Sequence, residues 1–219
     1  MAAVALFDID GTLIDSNGAH AAAWHDALAE AGYDVPVERI RPLIGMGGDR
    51  ILPEIDPGLN DEDGAGKAIA ERRKAIFLER YLAGIQPTTG ARDLLEALRR
   101  RGLRCIIASS AKRAELDKLL ARGELGPLID DASTSDDASS SKPAPDIVTA
   151  ALAKAKVDAR DAVLIGDTRY DVEAAQRAGV VAIGLLCGGS DAASLSGAAA
   201  VYADPAALLA ALEESPLAA

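Results

Sequence analysis

The stretch Val4-Ala5-Leu6-Phe7-Asp8-Ile9-Asp10-Gly11-Thr12 constrains the chain most, because four apolar residues stop abruptly at two aspartates, a glycine and a threonine. A short apolar run bounded in this way suits a strand buried on both faces, as in a parallel sheet covered by helices on either side. Such sheets bind ligands beyond the carboxyl ends of their strands, where Asp8 and Asp10 would stand. If the two-residue period of extended chain persists, both carboxylates project to one side. Two carboxylates about 4 Å apart repel by about 4 kcal/mol at an effective dielectric of about 20, so a close pair needs a cation, a shared proton or a longer separation. A hard dication is the simplest solution. Read alone, the same residues also fit a capped turn that opens a helix.

After Ser16 the pattern turns helical. An alanine-rich helix is expected over Ala19–Ala31, with Trp24 and Leu28 four apart and Gly32 closing it. A second helical stretch follows the turn at Asp34–Pro36, and the glycines of Leu43–Arg50 mark a loop. Asn60–Gly66 reads as a loop or frayed helix start before a charged helix over Lys67–Tyr81. No strand pattern interrupts this stretch, so residues 17–85 are expected to form a helical insertion between residues 1–16 and 86–219. From Thr88 onward helix and strand alternate, the signature of βαβ units. Helices are expected over Thr89–Arg101, Lys112–Arg122, Pro145–Lys156 and Asp171–Ala178, with a last one opened by Asp204-Pro205. Strands are expected over Leu103–Ala108, Pro127–Ala132, Ala162–Ile165, Val180–Leu186 and Ala200–Tyr202, with Ser133–Ser141 as a polar loop.

Several chemistry-bearing residues fall at the ends of these strands. Ser109 and Ser110 close the second strand, where a hydroxyl can exchange a hydrogen bond with a phosphate oxygen; Ser110 also suits the N-cap of the next helix. Lys142, in Ser141-Lys142-Pro143-Ala144-Pro145-Asp146, is held by two rigid prolines as a point charge for phosphate and for Asp8. Asp167 and Asp171 are spaced to meet on a first helical turn. The formal net charge of -11 argues against nucleic acid or an anionic membrane as the main partner, though not against a small anion bound by local positive charge. Two cysteines, Cys105 and Cys187, offer neither metal spacing nor a disulfide framework. The apolar start has no preceding Lys or Arg and is cut short at Asp8, unlike a signal peptide, so a cytoplasmic protein is expected.

Asp8-Ile9-Asp10-Gly11-Thr12-Leu13-Ile14-Asp15-Ser16 resembles the nucleophile motif of the haloacid dehalogenase-like superfamily of phosphotransferases. Ser109, the Lys142-Pro143-Ala144-Pro145 turn and Gly166-Asp167 with Asp171 resemble its three further motifs, in order. The resemblance implies a Rossmann-like parallel α/β core with an inserted α-helical cap, as in the phosphoglycolate phosphatases and β-phosphoglucomutases. It assigns Asp8 as the nucleophile that becomes an aspartyl phosphate and Asp10 as the general acid/base. Thr12, Ser109, Ser110 and Lys142 are placed on substrate and phosphate, with His20 and Arg50 as cap residues that meet them. Asp8, Asp10 through its backbone carbonyl, Asp167 and Asp171 are placed around Mg²⁺. The activity implied is hydrolysis of a small phosphorylated metabolite by a monomer or homodimer. A phosphosugar mutase shares every one of these residues, and a catalytically idle phosphate-binding module is the rival of a different class.

Overall fold

A strand that is apolar on both faces belongs in the middle of a sheet, and the N-terminal strand takes that position. The computed structural model describes residues 2–218. Its sheet has six strands, β1 (Val4–Phe7), β2 (Arg104–Ala108), β3 (Asp131–Ser133), β4 (Ala162–Gly166), β5 (Val181–Leu185) and β6 (Ala200–Tyr202). They lie in the order β3-β2-β1-β4-β5-β6, and every pairing is parallel. The direction of growth across the sheet reverses between β1 and β4, the crevice in which sheets of this kind bind ligands. Phe7 is in register with Ile107 on one side and Ile165 on the other, so Asp8, Ser109 and Asp167 emerge together at the carboxyl edge.

Four α-helices follow β1 before the chain returns to the sheet region: α1 (Asn17–Glu30), α2 (Val37–Ile40), α3 (Gly48–Ile55) and α4 (Gly64–Ile76). The chain leaves and re-enters the sheet region along two adjacent segments. Ile14 bridges Pro87, the Asp15 N–H donates to the Gln86 carbonyl at 2.9 Å, and the Thr88 N–H donates to the Leu13 carbonyl at 3.0 Å. Beyond β1, α5 (Ala91–Arg100), α6 (Arg113–Arg122), α7 (Asp146–Ala155), α8 (Arg169–Arg177) and α9 (Pro205–Ala210) flank the strands. The two-residue period sorts the core. Ala5 and Phe7 join Leu94, Leu116 and Leu208 of α5, α6 and α9, while Val4 and Leu6 join Ile147 and Val172 of α7 and α8. The first cluster runs on without a break into Trp24, Leu28, Ile76 and Phe77 of the helical segment. No helix among the described residues is long and apolar enough to cross a membrane.

Local chemistry shifts some boundaries. The expected strand over Pro127–Ala132 is shorter and later, because Pro127, which has no N–H for a ladder, sits in a 3₁₀ turn over Gly126–Leu128 and pairing begins only at Asp131. The glycine loop over Leu43–Arg50 closes early, with α3 already running from Gly48. The helix expected through Tyr81 widens at its end into a π-helical turn, Phe77–Tyr81. Ser110 does not cap α6, whose first residue, Arg113, follows Lys112 without a side-chain cap.

Replacing Leu6 by Ala empties a fully buried position on the central strand and is expected to lower unfolding stability by about 2–5 kcal/mol. Val181→Ala, at the first position of β5, which remains 43% exposed, should change it by about 0.5 kcal/mol or less. Urea titration of the three proteins checks both.

Candidate active site

Two of the groups at the carboxyl edge, Asp8 and Asp171, have a local reason for their place. β1 ends at Asp8, and the turn after it closes at Gly11, whose φ of +79° suits only glycine without strain. A Cβ there would also overlap Asp167 Oδ2 and Asn17 Nδ2. Asp171 stands in the first turn of α8, where Thr168 and Asp171 form a reciprocal capping box and the helix dipole favours an acid. Its second oxygen, Oδ1, is left for Lys142.

Lys142 is fully buried, and its ammonium donates to Asp8 Oδ1 and Asp171 Oδ1, both at 2.6 Å. Asp167, also fully buried, accepts from Thr12 Oγ1 at 3.0 Å and from Asn17 Nδ2 at 2.8 Å. Asp8 Oδ2 is buried without a hydrogen-bond partner. Asp8, Asp167 and Asp171 each present one oxygen, and these three lie within 4.8 Å of one another. Three carboxylates share the space with one ammonium. Burial pushes the Asp8 carboxyl up to about 7 despite Lys142, with Asp171 and Asp10 adding to the rise. Burial, then Asp171 and Asp8, push Asp167 well above the usual carboxylate range. Burial alone would lower Lys142, but Asp171 and Asp8 outweigh it and hold the ammonium's proton more tightly than usual. The excess of negative charge, the hard oxygen donors and the orphaned Asp8 oxygen all suit a dication such as Mg²⁺.

Asp10 faces a different environment. Its Oδ1 accepts from Ser16 Oγ and lies 2.8 Å from His20 Nε2. Burial would raise its carboxyl, but His20, Ser16 and Arg73 together hold it below the usual range. Its side chain is 15% exposed and opens on a cavity of about 620 Å³ between the helical segment and the strand ends. Asp8, His20, Arg73, Ser109 and Lys112 also line that cavity.

The structure therefore gathers Asp8, Asp10, His20, Ser109, Lys142, Asp167 and Asp171. It brings together a metal-competent carboxylate set from Asp8, Asp167 and Asp171, whereas the Asp10 carboxylate turns to Ser16 and His20. Thr12 is buried with its hydroxyl on Asp167, not on the cavity. Ser109 Oγ accepts from the Ala111 N–H at 3.0 Å, and Ser110 Oγ donates across the cavity mouth to the Gly45 carbonyl at 3.2 Å. Arg50 does not line the cavity, because its Nε donates to the Ser141 carbonyl at 3.1 Å. Its neighbour Asp49 accepts from the N–H and hydroxyl of Ser141, so α3 grips the residue before Lys142. Asn17, Asp49, Arg73 and Glu115 escaped the sequence reading. Gly47-Gly48-Asp49 carried a faint signal, since Gly47 has no Cβ where the Ser141 hydroxyl approaches.

A model of the haloacid dehalogenase-like hydrolase family matches residues 5–185. The chain is 30% identical over 187 residues to the phosphoglycolate phosphatase of Pseudomonas putida, covering 84% of this chain and 69% of that protein. It is 33% identical over 208 residues to the phosphonoacetaldehyde hydrolase of Bordetella pertussis, covering 87% and 74%. A solved hydrolase from Pseudomonas syringae has the same fold with a TM-score of 0.90 at 34% identity, over 96% of this chain and 98% of that one. The match runs from the first strand to the fifth and spans every loop that brings an acid, a hydroxyl or the lysine to the crevice, so the chain belongs to the haloacid dehalogenase-like hydrolases.

Proposed function

We propose that this chain is a Mg²⁺-dependent hydrolase of a small phosphomonoester, of the phosphoglycolate or sugar phosphate type, working through an aspartyl phosphate on Asp8. The buried Asp8–Lys142–Asp171 arrangement beside Asp167, with Asp8 at the wall of a cavity of metabolite size, carries this reading. Residues 17–85 act as a cap domain over a core of residues 1–16 and 86–219. The Asp8 carboxylate attacks phosphorus through one oxygen while the bond to the leaving oxygen breaks, and Asp10 gives the leaving oxygen its proton. Asp10 then takes a proton from water, whose oxygen attacks phosphorus and frees Asp8 and inorganic phosphate. Ser16 and His20 hold one oxygen of Asp10, leaving the other for the proton. Lys142 has three N–H donors, two of them on carboxylates, so the third remains for a phosphoryl oxygen, as does the hydroxyl of Ser109. Mg²⁺, held by Asp8, Asp167 and Asp171 with the Asp10 carbonyl as a further donor, would offset the charge that gathers on the phosphoryl oxygens. The acidic net charge of -11 fits a cytoplasmic monomer or homodimer that engages no nucleic acid and no membrane.

Phosphate release from phosphoglycolate, hexose phosphates and p-nitrophenyl phosphate should require Mg²⁺ and stop with EDTA, and Asp8→Asn should reduce kcat by about 10³-fold or more. Release that survives in Asp8→Asn would sink the assignment. Interconversion of hexose phosphates without net release would identify a mutase.

Metal binding should also show without turnover. At about 100 times its dissociation constant, Mg²⁺ should stabilise the fold by about 2.7 kcal/mol, a rise in Tm of roughly 5–10 °C for a chain of this size. Asp167→Asn should abolish the Mg²⁺ shift. Differential scanning fluorimetry with and without EDTA reads both.

A further inference from the structure

Two of the three clustered acids are oriented by one ammonium, since Lys142 donates to both Asp8 and Asp171. Among the described residues Asp167 has no such ion pair, and neutral donors hold it instead. Thr12 Oγ1 donates to its Oδ1 at 3.0 Å, and Asn17 Nδ2 donates to its Oδ2 at 2.8 Å. One donor on each oxygen stops the carboxylate from rotating, and each oxygen keeps a lone pair free.

Thr12 follows Asp8 and Asp10 in the same loop, but Asn17 comes from the helical segment, as the first residue of α1. An asparagine at a helix start ordinarily bonds the nearby backbone. This one reaches Asp167, 150 positions away, and the Gly188 carbonyl, 171 positions away, at 3.0 Å. A carbonyl can only accept, so the amide must turn its nitrogen to both partners. Asn17 is 5% exposed, and its Oδ1 is buried without a hydrogen-bond partner. An unmet buried acceptor is a cost, so the two bonds from the nitrogen decide where the amide lies.

The chain also leaves room for this contact. A Cβ at Gly11 or at Gly188 would overlap both Asn17 Nδ2 and Asp167 Oδ2. Gly188, unlike Gly11, does not have a positive φ, so the close approach alone calls for glycine there. The neighbouring Cys187 Sγ donates to the Gly11 carbonyl at 3.1 Å and fastens the two glycine loops together.

We propose that Asn17, admitted by the gap at Gly11 and Gly188, is a positioning residue that holds the Asp167 carboxylate ready for a divalent metal. This rests on the reading of Asp167 as a metal ligand. It gives the helical segment a part in metal affinity, although none of its side chains belongs to the carboxylate set.

Calorimetric titration of the full-length protein with Mg²⁺, without substrate, tests this. Asn17→Leu, which keeps the branched shape and removes the donor, should weaken binding about 10–100-fold, the usual effect of removing a group that orients a metal ligand. Asn17→Ala, which leaves room instead of filling it, should do the same and decides the matter if the leucine variant does not fold. Gly188→Ala should also weaken binding, because its methyl group parts Asp167 from Asn17. Gly18→Ala, one residue along α1, where a Cβ meets nothing within 4 Å, should bind as the wild type does. The Mg²⁺ concentration that gives half the maximal rate of phosphate release should rise with the dissociation constant in the Asn17 variants. Wild-type affinity in those variants, with only a lower metal-free Tm, would make the contact a structural one and overturn the proposal. So would wild-type affinity in Gly188→Ala, or equal weakening in Gly18→Ala. A wild type that binds no Mg²⁺ would sink the metal-dependent reading itself, and this role of Asn17 with it.

Discussion

Everything at the carboxyl edge depends on one ammonium group with no access to water. Lys142 can remain charged there only because Asp8 and Asp171 each give it an oxygen at 2.6 Å. An ion stripped of water in this way is tolerable when its partners are well placed, and removing one partner of such a set typically costs about 3–5 kcal/mol. The lysine therefore determines where both acids can be, and the surrounding chain meets that demand. Pro143 and Pro145 restrict the turn that presents it, the capping box of α8 orients Asp171, and the central position of β1 holds Asp8 at the point where the strand order reverses. What the lysine does not neutralise is as informative. Three carboxyl groups share the one ammonium, and one Asp8 oxygen has no partner.

The other half of the site comes from the helical segment, and here packing does the positioning. The apolar cluster on one face of the sheet continues into Trp24, Leu28, Ile76 and Phe77, so α1 and α4 are held over the crevice by the same exclusion of water that holds the sheet together. Three polar contacts then refine the fit: Asp49 and Arg50 on Ser141, Ser110 on Gly45, and Arg73 on Glu115. Each joins a residue of the helical segment to one beyond Pro87. Asp10 lies between the two halves, taking hydrogen bonds from Ser16 and His20 while its carboxylate shares the cavity with Asp8. Asp8 is thus set by the sheet, and Asp10 partly by the helices that lie over it.

What could be read in advance follows from the range of each signal. An apolar run ended by acids, a lysine before two prolines, and two acids four residues apart after a glycine are all local patterns, and they marked Asp8, Asp10, Lys142, Asp167 and Asp171. The alternation of helix and strand after Thr88 was equally local, apart from the residues around Pro127, where a missing N–H delayed the strand. Side chains whose partner lies far along the chain had no such mark. Asn17 meets Asp167 across 150 positions, and Arg73 meets Glu115 across 42. Nothing in either neighbourhood anticipates the pairing. Thr12 and Arg50 sat in the right stretches, yet the fold engages Thr12 with Asp167 and Arg50 with the Ser141 carbonyl.

The sequence by itself determined that a parallel α/β sheet would form around Val4–Phe7 and that acids, hydroxyls and one lysine would stand at its strand ends. Periodicity, proline and glycine act within a few residues and need no fold to be read. Only the tertiary structure decided which oxygen of each acid is occupied, which hydroxyls face the cavity, and how His20 is held between Phe77, Arg73 and Asp10. Those are questions of direction at a scale of about 3 Å, over which hydrogen bonds form or fail, and they are settled by packing between segments that the chain keeps far apart.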